Sequence, residues 1–168
     1  QVAGSYTSGI GIFLEETAVD TRIKDCTVEI SGTGSGVGIM ATTNILLDDT
    51  SIHLTSTNGG TGVNTMSGVL SNLSITLDSP WNTIGLNISS GSNVTLSGST
   101  IRSNGANTGY GIYNSGGSLL VDNSFVSASD YGIYRTNSAL TTSSRINNSH
   151  IHGGTHAIYS AATDIRIF

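Results

Sequence analysis

The chain has 168 residues, of which 10% are charged and 36% hydrophobic, with a formal net charge of -5. That length points to one domain, and six basic residues spread along it leave no electrostatic footprint for nucleic acid or anionic lipid. Ser, Thr, Asn and Gly contribute 26, 22, 14 and 22 residues, half of the chain; such a bias signals disorder unless apolar residues recur regularly, as Ile, Val and Leu do here.

The opening stretch, "QVAGSYTSG", has neither a basic segment nor an apolar run of the secretion-signal kind, so any export signal is expected to be removed or to lie outside the chain. No run of about 18 apolar residues is present, and membrane insertion is not expected. Cys26 is the one cysteine and reads as a small buried hydrophobe.

From residue 22 onward a pattern repeats: "RIKDCTVEI" at 22–30, "LLDDTSIHL" at 46–54, "VLSNLSITL" at 69–77, "TLSGSTIRS" at 95–103, "LVDNSFVSA" at 120–128 and "RINNSHIHG" at 145–153. The first inward apolar positions, Ile23, Leu47, Leu70, Leu96, Val121 and Ile146, are 24, 23, 26, 25 and 25 residues apart. A second marker recurs in Gly11-Ile12, Gly38-Ile39, Gly62-Val63, Gly85-Leu86, Gly111-Ile112, Gly132-Ile133 and Ala157-Ile158. A period of this size signals a solenoid, and alternating β-branched residues select strands over helices. Residues 1–168 therefore read as one all-β domain of about seven coils of roughly 24 residues, three short strands to a coil. At about 4.8 Å per coil the rod is roughly 30 Å long.

Each repeat carries a bend residue, in the column Asp25, Asp49, Asn72, Gly98, Asn123 and Asn148. These residue types tolerate a left-handed backbone, which gives Asp25 and Asp49 a turn role rather than that of paired catalytic carboxylates. The following column, Cys26, Thr50, Leu73, Ser99, Ser124 and Ser149, is expected inside, its hydroxyls hydrogen-bonding from coil to coil. Val28, Ile52, Ile75, Ile101, Val126 and Ile151 form an inner aliphatic column. Ile30, Leu54, Leu77, Ser103, Ala128 and Gly153 form another that shrinks, so the later coils are expected to be narrower.

Coil length, the Gly-Ile strand and the Asn-rich bend resemble the right-handed, single-stranded parallel β-helix proteins, the pectate-lyase-like superfamily, over nearly the whole chain. That resemblance implies chemistry, where there is any, in a lateral groove over one strand stack. The outward positions of the Gly-Ile stack, Phe13, Met40, Asn64, Asn87, Tyr113, Tyr134 and Tyr159, contain no acid. The next ones, Glu15, Thr42, Met66, Ser89, Ser115, Thr136 and Ala161, contain one, whereas glycoside hydrolysis needs two carboxyl groups. Glu15 and Glu16 should face opposite sides of a strand. The fragments "RIK" at 22–24, "DD" at 48–49 and "HGG" at 152–154 are similar to pieces of the polygalacturonase signature, but their order is wrong. No catalytic residue and no cofactor is assigned.

His150 and His152 share a strand face and are the weak metal candidates, with Phe125 and Ser127 at the matching positions one coil back and Arg102 beyond. His53 lies over Glu29 as a surface pair. Tyr113, Tyr134 and Tyr159 should stack as an outward ladder; with Arg135 and Asn114 beside them they form the candidate carbohydrate-binding residues. The last stretch, "ATDIRIF", ends on an apolar strand, and no cap is evident at either end. The expectation is a segment of a longer polypeptide, or a subunit that self-associates through open coil ends. The function expected is a non-enzymatic structural or adhesive β-helix of an extracellular fibre, spike or filament, at a cell surface or on a virion. The alternative is a polysaccharide-degrading or glycan-binding β-helix, tailspike-like or pectate-lyase-like, with key acids outside the chain. A surface glycan is the candidate ligand, and no nucleic acid is expected.

Overall fold

The computed structural model describes residues 2–6, 8–15, 21–136, 144–161 and 165–168. Glu16, weighed above as an acid, lies outside them. Every strand pair among the described residues is parallel. One face of the solenoid stacks seven strands: Val2–Tyr6, Thr27–Gly32, Ser51–Ser56, Ser74–Ser79, Thr100–Gly105, Phe125–Ala128 and His150–Gly153. A second face begins with Gly9–Leu14 and continues through Thr83–Ile88, Gly109–Asn114, Tyr131–Arg135 and His156–Ser160. A third face holds Thr21–Lys24, Asn93–Ser97, Ser118–Asp122, Ser144–Asn147 and Ile165–Ile167. Two long strands, Gly36–Asp48 and Gly60–Ser71, run through both of these faces and join them into a sheet of twelve. Each face thus has seven rungs separated by six helical turns. The departure from three short strands per coil is confined to those two coils, where a register shift between Ala41 and Asn44 takes up the bend without breaking the strand.

The bend between the third face and the next coil's first face follows from backbone sterics. Asp25, Asp49, Asn72, Gly98, Asn123 and Asn148 all have positive φ, between 43° and 56°, the left-handed region that these types enter at least cost. One residue later, the hydroxyls of Thr50, Ser99, Ser124 and Ser149 donate across the bend to the carbonyls of Asp48, Ser97, Asp122 and Asn147. Between coils it is the backbone that donates. Leu73 N–H reaches Ser99 Oγ, Ser99 N–H reaches Ser124 Oγ, and Ser124 N–H reaches Ser149 Oγ, at 3.0 to 3.2 Å. A single buried hydroxyl therefore satisfies a carbonyl of its own coil and an N–H of its neighbour, which removes the cost of burying it.

Val28, Ile52, Ile75, Ile101 and Val126 are fully buried, as are Leu54 and Leu77 and, in the first column, Leu47, Leu70, Leu96 and Val121. Exposure returns at the end rungs, where Ile12, Leu14, Ile23, Ile151, Ile158 and Ile165 are only partly covered. The narrowing takes a definite form. Register sets ten residues between the equivalent positions Thr100 and Tyr110, but six between Phe125 and Tyr131 and between His150 and His156. In the last coil the place of the earlier leucines is filled by backbone, since a Cβ on Gly153 would lie 2.6 Å from Gly132 N.

The recurring glycine of the second face has a steric cause. A Cβ on Gly85 would stand 2.3 Å from Ile101 Cγ2 and 2.5 Å from the Gly111 carbonyl oxygen, and Gly38, Gly62, Gly111 and Gly132 are confined in the same way by the next coil. The inner aliphatic column thus packs onto bare backbone. Gly85→Ala is expected to destabilise the rod by about 1–3 kcal/mol through overpacking, read as a lower midpoint in chemical denaturation.

Candidate functional site

On the outer side of the second face, residues in register form two parallel columns. One runs Phe13, Met40, Asn64, Asn87, Tyr113, Tyr134, Tyr159, and the other Ile10, Val37, Thr61, Ile84, Tyr110, Tyr131, His156. Asn87 Nδ2 donates to Asn64 Oδ1 at 3.2 Å, so the middle of the first column is an amide ladder. In the last three coils both columns become aromatic. Tyr113 stacks on Tyr134 with centroids 5.6 Å apart, and Tyr134 on Tyr159 at 4.8 Å. Tyr110 stacks on Tyr131 at 5.4 Å, and Tyr131 on His156 at 5.6 Å. Edge contacts of 4.9 to 6.0 Å knit the two columns into a six-ring slab.

The second column was missed by strict two-residue alternation, which would turn residues 110 and 131 inward. The glycine is the reason: Gly111 and Ile112 are both buried, as are Gly132 and Ile133, so the residues on either side of each pair face outward. The signal was present in the strings "YGIY", "YGIY" and "HAIY".

Within each column the rings lie at interplanar angles of 16° or less, face against face along the rod. What the slab turns sideways is ring edges and phenol hydroxyls. Arg135 and Asn114, expected beside the tyrosines, are not on this surface: they are 1% and 0% exposed. Each follows an outward tyrosine, and successive side chains of a strand point to opposite faces. Asn114 closes the turn below it, its Oδ1 accepting from Gly116 N and Gly117 N at 2.9 and 2.7 Å and its Nδ2 donating to Gly117 O at 2.9 Å. Arg135 Nη1 donates inside the coil to Ser144 Oγ at 3.3 Å.

The histidines are divided between faces. His150 stacks on Phe125 at 5.2 Å and 3°, and Arg102 covers that phenyl ring at 4.8 Å. His152 is exposed opposite Ser127, whereas His156 belongs to the slab. Among the described residues no group of three or more His, Cys, Asp or Glu side chains is placed to hold a metal ion. His53 lies opposite Glu29 in register, with its Nε2 3.3 Å from Thr55 Oγ1.

Two of the three fragments whose order departs from the polygalacturonase signature, 22–24 and 48–49, meet in space. Arg22 Nη2 and Lys24 Nζ lie 3.3 and 3.5 Å from Asp48 Oδ2, and Lys24 is 3.7 Å from Asp49. "HGG" at 152–154 sits in the last coil, at the far end of the stack. The Ser71 hydroxyl, donating to Asp48 Oδ1 at 2.8 Å, lowers the Asp48 pKa; partial burial opposes it, and Lys24 and Arg22 add to the lowering. A lowered carboxyl contributes stability above its unfolded value of about 4 and loses it as pH falls through the folded value. Ser71→Ala is expected to move the Asp48 titration upward, seen by NMR of its carboxyl carbon, and to start acid unfolding at slightly higher pH.

The slab has the opposite sign. Burial raises the pKa of Tyr110, with the ring hydroxyls of Tyr134, Tyr131 and Tyr113 and the Asp130 charge adding to it; burial, then Tyr159 and Tyr113, raises Tyr134. A raised tyrosine favours the folded state below its unfolded value of about 10 and ceases to as pH rises through the folded value. Alkaline titration of phenolate absorbance is expected to show a late component that Tyr110→Phe and Tyr134→Phe each reduce.

No curated protein and no solved structure matches the chain closely enough to count as a relative. The family model for the right-handed β-helix region matches residues 5–167, and with its parallel three-faced ladder the chain belongs to that family.

Proposed function

We propose that this chain is a non-enzymatic structural or adhesive β-helix, the rigid segment of an extracellular fibre, spike or filament at a cell surface or on a virion. The observation that carries the reading is the makeup of the two outward columns of the second face. Neither includes a carboxylate at any of its seven rungs, while acid-catalysed glycoside cleavage needs two. Asp48 and Asp49, adjacent on another part of the surface, are engaged by Lys24 and Arg22. A rod whose outward columns on this face hold aliphatic, amide and aromatic side chains in register offers stiffness and a weakly charged surface.

Ends matter for a fibre. Ile167 and Phe168 on the last rung are each 66% exposed, and Arg145 lies over the Phe168 ring at 4.5 Å. A further rung, from adjoining chain or from a second copy, would cover this apolar edge and pair its strand. Negative-stain images over rising protein concentration are expected to show end-to-end rods; particles of single-chain length throughout would refute stacking between copies. Release of reducing or unsaturated sugars from polysaccharides would overturn the non-enzymatic reading in favour of a degradative β-helix. The hydroxyl edge of the six-ring slab supports glycan adhesion as a second reading.

A further inference from the structure

We infer that the bend between the first and second faces carries a binding site for a neutral sugar ring, built on Trp81. This inference rests on the adhesive reading and gives it a ligand class and a place. Trp81 is the only tryptophan of the chain and is 53% exposed. It lines a shallow cleft of about 290 Å³ together with Ser35, Asn58 and Asn82, near the lower end of small-molecule sites at about 300 Å³.

The cleft has a cause in the register. Gly36, Gly60, Thr83 and Gly109 are stacked partners, so the residues two positions before them, Gly34, Asn58, Trp81 and Asn107, follow one another along the rod. Side-chain size along this column rises from hydrogen to carboxamide to indole, which leaves a step with Trp81 as its wall. The base is rigid. Pro80 fixes its own φ, and the N–H groups of Trp81 and Gly59 both donate to Ser79 Oγ, at 3.1 and 2.9 Å. Gly59, at φ 87°, is bare where a Cβ would meet the Asn82 carbonyl oxygen, which accepts from Gly60 N at 3.0 Å.

Polar groups stand ready beside the indole. Asn107 Nδ2 donates to Asn82 Oδ1 at 2.8 Å, which orients that amide and leaves Asn82 Nδ2 to donate outward. The Asn58 carboxamide has no hydrogen-bond partner among the described residues. Nothing lining the cleft is ionisable. An anion would find no cation there, and a purely apolar ligand would cover amides without pairing them. A neutral pyranose satisfies both demands, its C–H face on the indole and its hydroxyls on the amides.

Because Trp81 is the only indole, emission excited selectively in tryptophan, to the red of tyrosine absorption, reports on this site and not on the tyrosine slab. Titration with the methyl glycosides of glucose, galactose and mannose is expected to give a saturable emission shift with at least one of them. On immobilised neutral oligosaccharides, Trp81→Ala should abolish retention and Asn82→Ala should weaken it about tenfold, the loss of one good hydrogen bond; both should melt like the parent. An emission unmoved by all three glycosides overturns the site, as does a shift given only by sialylated or sulfated glycans added in their place. Retention undiminished in Trp81→Ala overturns the cleft but leaves an adhesive rod standing. Absence of rods in the microscope bears on the fibre reading and not on this site.

Discussion

Parallel pairing in register governs this molecule. Each residue lies on its counterpart in the previous coil at a spacing of about 4.8 Å, so every column must tolerate its own repetition. Aliphatic columns do so by packing, hydroxyl columns by accepting from one coil while donating within another, and aromatic columns by stacking. A column of one charge cannot, because like charges directly opposite repel. The low charge content of 10% follows. Where opposite charges do meet in register they pair, as Lys24 does with Asp48 at 3.5 Å. Arg145 and Arg166 are a like-charged pair, and there Arg145 turns its Nε to Asn147 Oδ1 at 2.9 Å and its guanidinium over Phe168.

The three bends of the coil are solved by different chemistry. The first uses left-handed residues with hydroxyls behind them, and the second uses buried serines. Ser56 Oγ donates to the Gly59 carbonyl at 2.7 Å, with the Gly34 carbonyl also within reach of its one proton at 2.9 Å, and Ser79 Oγ accepts from Gly59 and Trp81. Polar members of one inward column serve the third. Thr65 reaches the Ser67 carbonyl, Asn114 reaches Gly116 and Gly117, and Arg135 reaches Ser144. Polar side chains inside the rod are thus concentrated where strand pairing ends and backbone groups need partners.

Legibility divides along the same line. The bend column was readable from Asp25 to Asn148 because a left-handed φ is a property of one residue and its types are few. The aliphatic columns were readable because burial and period agree. Tyr110 and Tyr131 escaped because the glycine beside each interrupts the alternation on which inward and outward assignments rest. Asn114 and Arg135 were placed outside by type, as amide and guanidinium neighbours of exposed rings, whereas strand parity placed them inside. The continuous strands at 36–48 and 60–71 depend on how bends are absorbed, which no single residue type announces.

The same constraint bears on where such a rod can recognise anything. An aromatic ladder on a flat face uses its ring faces for itself; only edges remain at Tyr113 and Tyr134, since each is covered by its neighbour in the next coil. A ring face becomes available to a ligand where the column changes identity from coil to coil, and that happens at a bend, where side chains are freed from strand pairing. Trp81 stands at such a place, between Asn58 and Asn107 in its column and with Gly34 beyond. Repetition therefore builds the rod, and the breaks in repetition along its corner give it an address.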